Sequence, residues 1–321
     1  MYERYYNFTA SPFQLTPDAR FFFSSRGHSR AIAHLTFGLA QGEGFIIVTG
    51  EVGAGKTTLI ERLLSQLDRA AYAVARINTT QVSGEDLFRL ALAGFGVDGA
   101  NADKAGLLLR FEAVLSERRK AGRRCLLIVD EAQNLSLAAL EELRMLSNLT
   151  EGGRASLQTI LLGQPQFRRM LASGDLDQLR QRVLASYHLG PLSGEETRAY
   201  VEHRLTTVGW RGNPRWEDAV FAAIFEATGG IPRRINRLCA RALLYGALEA
   251  AGTITAAMVN DTARELAEDL AAGVAPQAAG AECAPPDLLS RLEALEAKVA
   301  RREQVFQRLM DLFANPDGTV P

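Results

Sequence analysis

The sequence predicts an α/β fold: a mostly parallel five-stranded sheet with helices on both faces. A small all-helical lid domain and a C-terminal coiled-coil-like helix follow it. Three observations lead there. Five short apolar runs alternate with helical patterns in the first part of the chain, which implies a parallel sheet. A glycine-rich turn containing lysine and threonine directly follows the first run. After Pro191 the apolar runs stop, and only helical periodicity remains.

The elements follow in order. Phe45 to Thr49 (FIIVT) is the first strand, and the helix Thr57 to Leu67 opens behind the glycine-rich turn. Ala71 to Asn78 (AYAVARIN) alternates weakly and reads as the second strand. The helix Leu107 to Lys120 precedes the third strand, Cys125 to Val129 (CLLIV). Leu157 to Leu162 (LQTILL) and Leu184 to Leu189 (LASYHL) are the fourth and fifth. Beyond Pro191, helices are expected over 194–208, 216–228, 232–250 and 255–270, with Thr255 as N-cap of the last. Ala271 to Pro286 lacks helical periodicity and ends in two prolines, so it reads as a linker. Leu288, Leu292, Leu295, Val299, Arg302, Phe306, Leu309 and Phe313 then repeat at four-three spacing behind the capping residue Asp287. That seam fits a coiled coil; a helix folded back on its own domain fits it too. The expected organisation is an α/β nucleotide-binding domain over 1–191, a helical lid domain over 192–270, a linker over 271–286 and an amphipathic helix over 287–314.

Composition excludes several classes. Lys plus Arg is 36 against 37 for Asp plus Glu, a net charge of −1, so the chain is not globally basic. With 47% hydrophobic residues it has ample surface for a core and is not a disordered polyelectrolyte. Cys125, Cys239 and Cys283 are odd in number and far apart, so neither a disulfide framework nor a zinc cluster is indicated. No run of about 18 apolar residues occurs, and the start of the chain lacks a signal-peptide core. A cytoplasmic protein is expected, or one peripheral at the inner membrane through partners.

The chemistry concentrates at two strand ends. Gly50, Glu51, Val52, Gly53, Ala54, Gly55, Lys56 and Thr57 match the phosphate-loop pattern GxxxxGK[ST], with Thr58 next in the helix. Glycines let backbone N–H groups curl around phosphate oxygens, and the helix N-terminus adds the positive end of its dipole. Lys56 faces the β- and γ-phosphates, and the Thr57 hydroxyl is a ligand for Mg²⁺. ATP with Mg²⁺ is the expected ligand pair. The run CLLIV delivers Asp130 and Glu131 at its C-terminal end, where open α/β sheets bind ligands. Asp130 is the expected second metal group, and Glu131 the general base toward water.

Together with Gly229-Gly230-Ile231-Pro232-Arg233-Arg234, these features resemble AAA+ ATPases. Met1 to Phe8, Pro12-Phe13, Leu15-Thr16-Pro17-Asp18, His28, His34-Leu35, Leu162-Gly163-Gln164-Pro165 and Leu179-Arg180-Gln181-Arg182 resemble the ExeA/GspA group, the general secretion pathway protein A family. The likeness is strongest to its short subfamily associated with exosortase and exopolysaccharide loci, whose members lack the transmembrane and peptidoglycan-binding regions of the long proteins.

The resemblance implies further roles. Gln164 stands where the family places its sensor-1 residue; a turn residue before Pro165 is the other reading. Arg233 matches the sensor-2 arginine, and Pro232 suits the first turn of its helix. Arg182 is the arginine-finger candidate toward a neighbouring subunit, with Arg180 in reserve; either is otherwise a surface arginine. Asn78 is placed like the residue that restrains the catalytic glutamate, or is a strand-end turn residue. The run Arg118, Arg119, Lys120, Arg123, Arg124 reads as a solvated turn, with a phosphate-backbone contact as the other reading. An ATP-hydrolysing homo-oligomer that drives or regulates a cell-envelope secretion or polysaccharide system is the leading expectation. A DNA-associated ATPase like the MuB/TniB transposition regulators is the second, and a non-hydrolysing switch the third.

Overall fold

A computed structural model describes residues 2–16, 18–78 and 84–272. The predicted C-terminal helix and all but the first two residues of the predicted linker lie outside these residues. The chain packs as two compact units: one of residues 12–207 and 228–237, the other of residues 2–11, 208–227 and 238 onward.

The larger unit holds a five-stranded parallel sheet. Its strands are β1 (Phe45–Gly50), β2 (Tyr72–Asn78), β3 (Arg124–Asp130), β4 (Leu157–Gly163) and β5 (Val183–Leu189), in the order β2-β3-β4-β1-β5. All five predicted strands form, within a residue or so of the expected limits. The central strands β1 and β4 are buried throughout, and β3 at every position but its first. That explains why they read as unbroken apolar runs. The edge strands β2 and β5 alternate, as half-covered strands should.

Alternate side chains of each strand feed two cores. Phe45, Ile47, Leu127, Val129 and Leu161 face helices α3 (Gly84–Gly94), α4 (Lys104–Lys120) and α5 (Leu137–Leu146). Ile46, Val48, Leu126, Ile128 and Leu162 face α1 (Arg26–Gln41) and α2 (Lys56–Gln66). Caps set where helices begin: Ser25 accepts from the His28 amide, Asp103 from Gly106 and Ser136 from Ala139. Helix α6 (Pro165–Leu171) follows β4, and α7 (Gly194–Thr207) follows β5.

The basic run has a structural role. Arg123 donates to the carbonyls of Arg69 and Tyr72; Arg124 donates to the Leu39 carbonyl and stacks over the Tyr72 ring. These two guanidiniums tie the N-terminal end of β3 to its surroundings. Arg118 to Lys120 occupy the last turn of α4, where cations complement the helix dipole.

In the other unit, α8 is Asp218–Thr228, α9 is Pro232–Leu248 and α10 is Ala256–Ala272; the first six residues of α9 belong to the larger unit. Helix α8 starts two residues later than the sequence suggests. Trp216 instead pairs with Ile254 in a two-residue parallel ladder, stacked on Phe221 with centroids 6.3 Å apart. Periodicity could not reveal a strand of two residues. Thr255 caps α10 as expected, accepting from the Met258 amide, and the helix runs to Ala272, two residues into the predicted linker. Among the described residues no helix is long and apolar enough to cross a membrane.

Phe111 is fully buried between Phe88 and Phe95, edge-on to both at 6.4 and 6.0 Å. Phe111→Ala should lower stability by about 3–5 kcal/mol, the range for emptying a buried aromatic site. Urea unfolding checks this, with a shifted midpoint at unchanged slope as the expected outcome.

Candidate functional site

The C-terminal ends of β1, β3 and β4 share one edge of the sheet, because parallel register aligns Thr49 with Gly163 and Val129 with Leu161. The glycine-rich loop leaves β1 at this edge and enters α2, with Gly55 as its N-cap residue. Gly53 and Gly55 have φ of +83° and +99°, left-handed values that glycine adopts without a steric penalty. Space forbids side chains there as well. A Cβ on Gly53 would come within 2.3 Å of the Arg233 Cβ, and one on Gly55 within 2.9 Å of the His28 Nε2. His28 is buried there, its Nδ1 2.7 Å from the Ser25 hydroxyl, and burial lowers its pKa.

Lys56 is the buried cation of the loop. Its ammonium donates to the carbonyls of Gly50 (2.8 Å) and Glu51 (3.1 Å). Burial lowers its pKa, opposed by the carboxylates of Glu131, Asp130 and Glu51. The Thr57 hydroxyl donates to Asp130 Oδ2 at 3.1 Å, joining the loop to the end of β3. Asp130 is also buried. Its Oδ1 accepts from the Glu131 amide, and the Arg76 guanidinium approaches Oδ2 at 3.6 Å. A hydroxyl and a carboxylate converging on one point are hard oxygen donors of the kind Mg²⁺ takes.

Glu131 has left-handed backbone (φ +54°, ψ +42°), a strain of order 1–3 kcal/mol for a residue with a side chain. Its Oε2 accepts from the side-chain amides of Gln133 and Gln164, the latter at 3.0 Å. Gln164 is fixed in turn, its backbone N–H donating to Gln133 Oε1 at 2.9 Å. Burial pushes the Glu131 carboxyl upward. The two amide donors and the Lys56 charge outweigh that and hold it below the usual carboxylate range. A carboxylate so held is ionised at neutral pH and fixed in direction.

Gly53, Lys56, Thr57, Thr58, Glu131 and Arg233 line a common cleft of about 360 Å³. The Arg233 amide donates to the Gly53 carbonyl at 3.2 Å, which puts the first turn of α9 against the loop. The lining is also aromatic and aliphatic, with Leu15, Phe21, Phe22, Phe23 and Tyr200, and Phe22 lies 5.8 Å from His28 beside the loop. The cleft therefore offers both phosphate donors and flat apolar faces.

The remaining predicted residues sit elsewhere. Arg182 is exposed and precedes β5, at the N-terminal end of the strands. β5 pairs with β1 from Phe45↔Val183 to Gly50↔Leu189, so Arg182 and the loop lie at opposite ends, about 20 Å apart along the strand. Arg180 is paired with Asp177 at 2.7 Å. Asn78 faces Asp130 in register, while the carboxylate of Glu131 is held by Gln133 and Gln164. The sequence reading missed Gln133 and Arg76. Gln133 carried a usable signal, an amide two residues after an acid at a strand end. Arg76, in an otherwise apolar edge strand, carried a weaker one.

A family model described as an AAA domain matches residues 39–171. Over 248 residues the chain is 39% identical to General secretion pathway protein A of Aeromonas hydrophila, which covers 76% of this chain and 44% of that protein. The chain belongs to the AAA ATPase family of general secretion pathway protein A. It spans less than half the length of this curated relative. Among solved structures it resembles the ORC2 protein of Aeropyrum pernix in ADPNP–ADP complexes (TM-score 0.62, 17% identity, 79% of this chain and 71% of that one). It likewise resembles Cdc6p of Pyrobaculum aerophilum (TM-score 0.62, 14% identity, 81% and 75%). At these identities the likeness is one of fold.

Gln164→Ala should raise the Glu131 pKa, since one of the two opposing amide donors goes and burial remains. Because the folded value is lowered, ionised Glu131 favours the folded state above the ordinary carboxylate pKa. That contribution fades as pH falls through the folded value. The acid limb of the single-turnover rate should therefore move to higher pH in the variant. A limb that stays in place would show that Gln164 does not hold the base.

Proposed function

We propose that the chain binds ATP with Mg²⁺ in this cleft and hydrolyses it within a homo-oligomer, driving or regulating assembly of a cell-envelope secretion or exopolysaccharide system. The observation that carries the reading is the convergence of Lys56, the Thr57–Asp130 pair and the clamped Glu131 on one cleft. The loop N–H groups and Lys56 bind the phosphates, and the aromatic lining takes the base. Thr57 and Asp130 hold the metal. Mg²⁺ bound there supplies charge neutralisation to the phosphates. Glu131 takes the proton of the attacking water, with Gln164 and Gln133 holding its carboxylate in line. Arg233, seated on the loop through Gly53, offers a guanidinium to the γ-phosphate.

Arg182 acts on a neighbour's site, because it stands at the wrong end of the strands to serve its own. The envelope setting is supported by the identity to a general secretion pathway protein over most of this chain. DNA as a partner gains no support from Arg123 and Arg124, whose guanidiniums bind the chain's own carbonyls.

Lys56→Ala should abolish ATP binding, and Glu131→Gln should bind ATP and stall. Equilibrium binding and phosphate release check both; wild-type turnover by Glu131→Gln would exclude it as the base. Arg182→Ala should bind ATP normally and lose about 10³-fold or more in turnover, as arginine fingers do. Mixed with Lys56→Ala protein, it should regain activity at the shared sites. Mixed oligomers that stay inactive would overturn the assignment in trans.

A further inference from the structure

In the wall of the cleft, beside its aromatic lining, stands a polar relay that the phosphate-binding groups do not use. Arg204 on α7 is buried, and all its hydrogen-bond partners are neutral. Nε donates to the Pro12 carbonyl, Nη2 to the Gln14 carbonyl at 3.1 Å, and Nη1 to the Tyr200 hydroxyl at 2.7 Å. Its guanidinium also lies 4.6 Å from the centre of the Phe21 ring. The Tyr200 hydroxyl in turn donates to Asn236 Oδ1 at 2.8 Å.

The direction of this relay is fixed. A guanidinium can only donate, so the Tyr200 oxygen accepts from Arg204. Tyr200 is itself buried, and its one hydroxyl proton needs an acceptor. Asn236 must therefore present Oδ1 to it, which leaves the NH₂ group of Asn236 facing away from the relay. Buried side-chain nitrogens without partners occur elsewhere, at Arg76 and Arg123 for example, and Asn236 Nδ2 is not among them. Asn236 lines the cleft, and Nδ2 is the donor that the relay leaves it to offer there. Asn236 is also three residues beyond Arg233 on one helix, which puts the two on one face about 5–6 Å apart. Arg233 meets the phosphate loop, and Asn236 lies one turn further along the helix, bonded to Tyr200 among the aromatic lining of the cleft.

We propose that Asn236 Nδ2 is a nucleoside-reading donor, oriented by the Arg204–Tyr200 relay toward an acceptor on the base or ribose of the bound nucleotide. This rests on the reading that the cleft takes ATP. The amide adds nothing to phosphate binding. It recognises the nucleoside part and is a specificity residue, with Tyr200 and Arg204 as its positioning residues.

The test compares ATP with inorganic tripolyphosphate, which offers phosphates without a nucleoside. Titration calorimetry on the full chain should show Asn236→Leu weakening ATP by about tenfold and leaving tripolyphosphate within about twofold, since one hydrogen bond to a buried acceptor is lost. Tyr200→Phe keeps the ring, frees the amide to turn and should weaken ATP in the same selective way, to a smaller degree. It also guards against a folding defect in the first variant. Analogues then identify the acceptor. Among 2′-deoxy-ATP and the 1-, 3- and 7-deaza forms of ATP, the one that lacks the contacted atom should bind the wild type weakly and be indifferent to Asn236→Leu. Equal losses for ATP and tripolyphosphate would show that Asn236 acts by placing Arg233, and unchanged ATP affinity in both variants would show no role; either overturns the proposal. A wild type that binds tripolyphosphate and ATP equally well would also overturn it. A wild type that binds neither would instead overturn the nucleotide reading of the cleft.

Discussion

The alignment of three strand ends underlies the rest of the site. β1 carries the glycine-rich loop, β3 carries Asp130 and Glu131, and β4 leads into Gln164. Each would be an ordinary turn on its own strand. Parallel pairing of β1 with β4, and of β4 with β3, brings them to one edge. The hydrogen bond from Thr57 to Asp130 then closes the gap between the first two. A one-residue slip of β3 would turn its side chains to the opposite faces and take the carboxylate out of reach. Burial prevents such a slip, since the alternate residues of β3 fill two separate cores. The hydrophobic effect thus fixes the Thr57–Asp130 corner from the two cores behind it.

The same edge explains why glutamines surround Glu131. A carboxylate next to a buried ammonium would gain most by folding onto it. The amides of Gln133 and Gln164 hold Glu131 by hydrogen bonds that carry no net charge, so it stays ionised and set apart from Lys56. The left-handed backbone at Glu131 belongs to this arrangement, because the chain must turn sharply after β3 for the side chain to face Gln164.

Much of this was legible in the sequence, for definite reasons. Central strands covered on both faces must be apolar throughout, so FIIVT, CLLIV and LQTILL announced themselves. The phosphate loop needs glycines at fixed offsets, and a lysine and threonine after them, so spacing alone identified it. What escaped was set by tertiary contact. The two-residue strand at Trp216 has no period to detect. Gln133 matters through its distance from Glu131 and Gln164, and Arg76 through its approach to Asp130, neither of which periodicity encodes. Nothing in the sequence around Arg204 marks it as buried. It is buried by a chain segment some 190 residues earlier.

That buried arginine gives the two walls of the cleft different characters. Lys56 and Glu131 are ionisable groups whose charges depend on their surroundings and on protons. Arg204 carries the guanidinium charge of its residue type, and its partners are carbonyls, a hydroxyl and aromatic faces. Charge on one wall of the cleft is thus tuned by its neighbours, whereas on the other it comes with the residue itself.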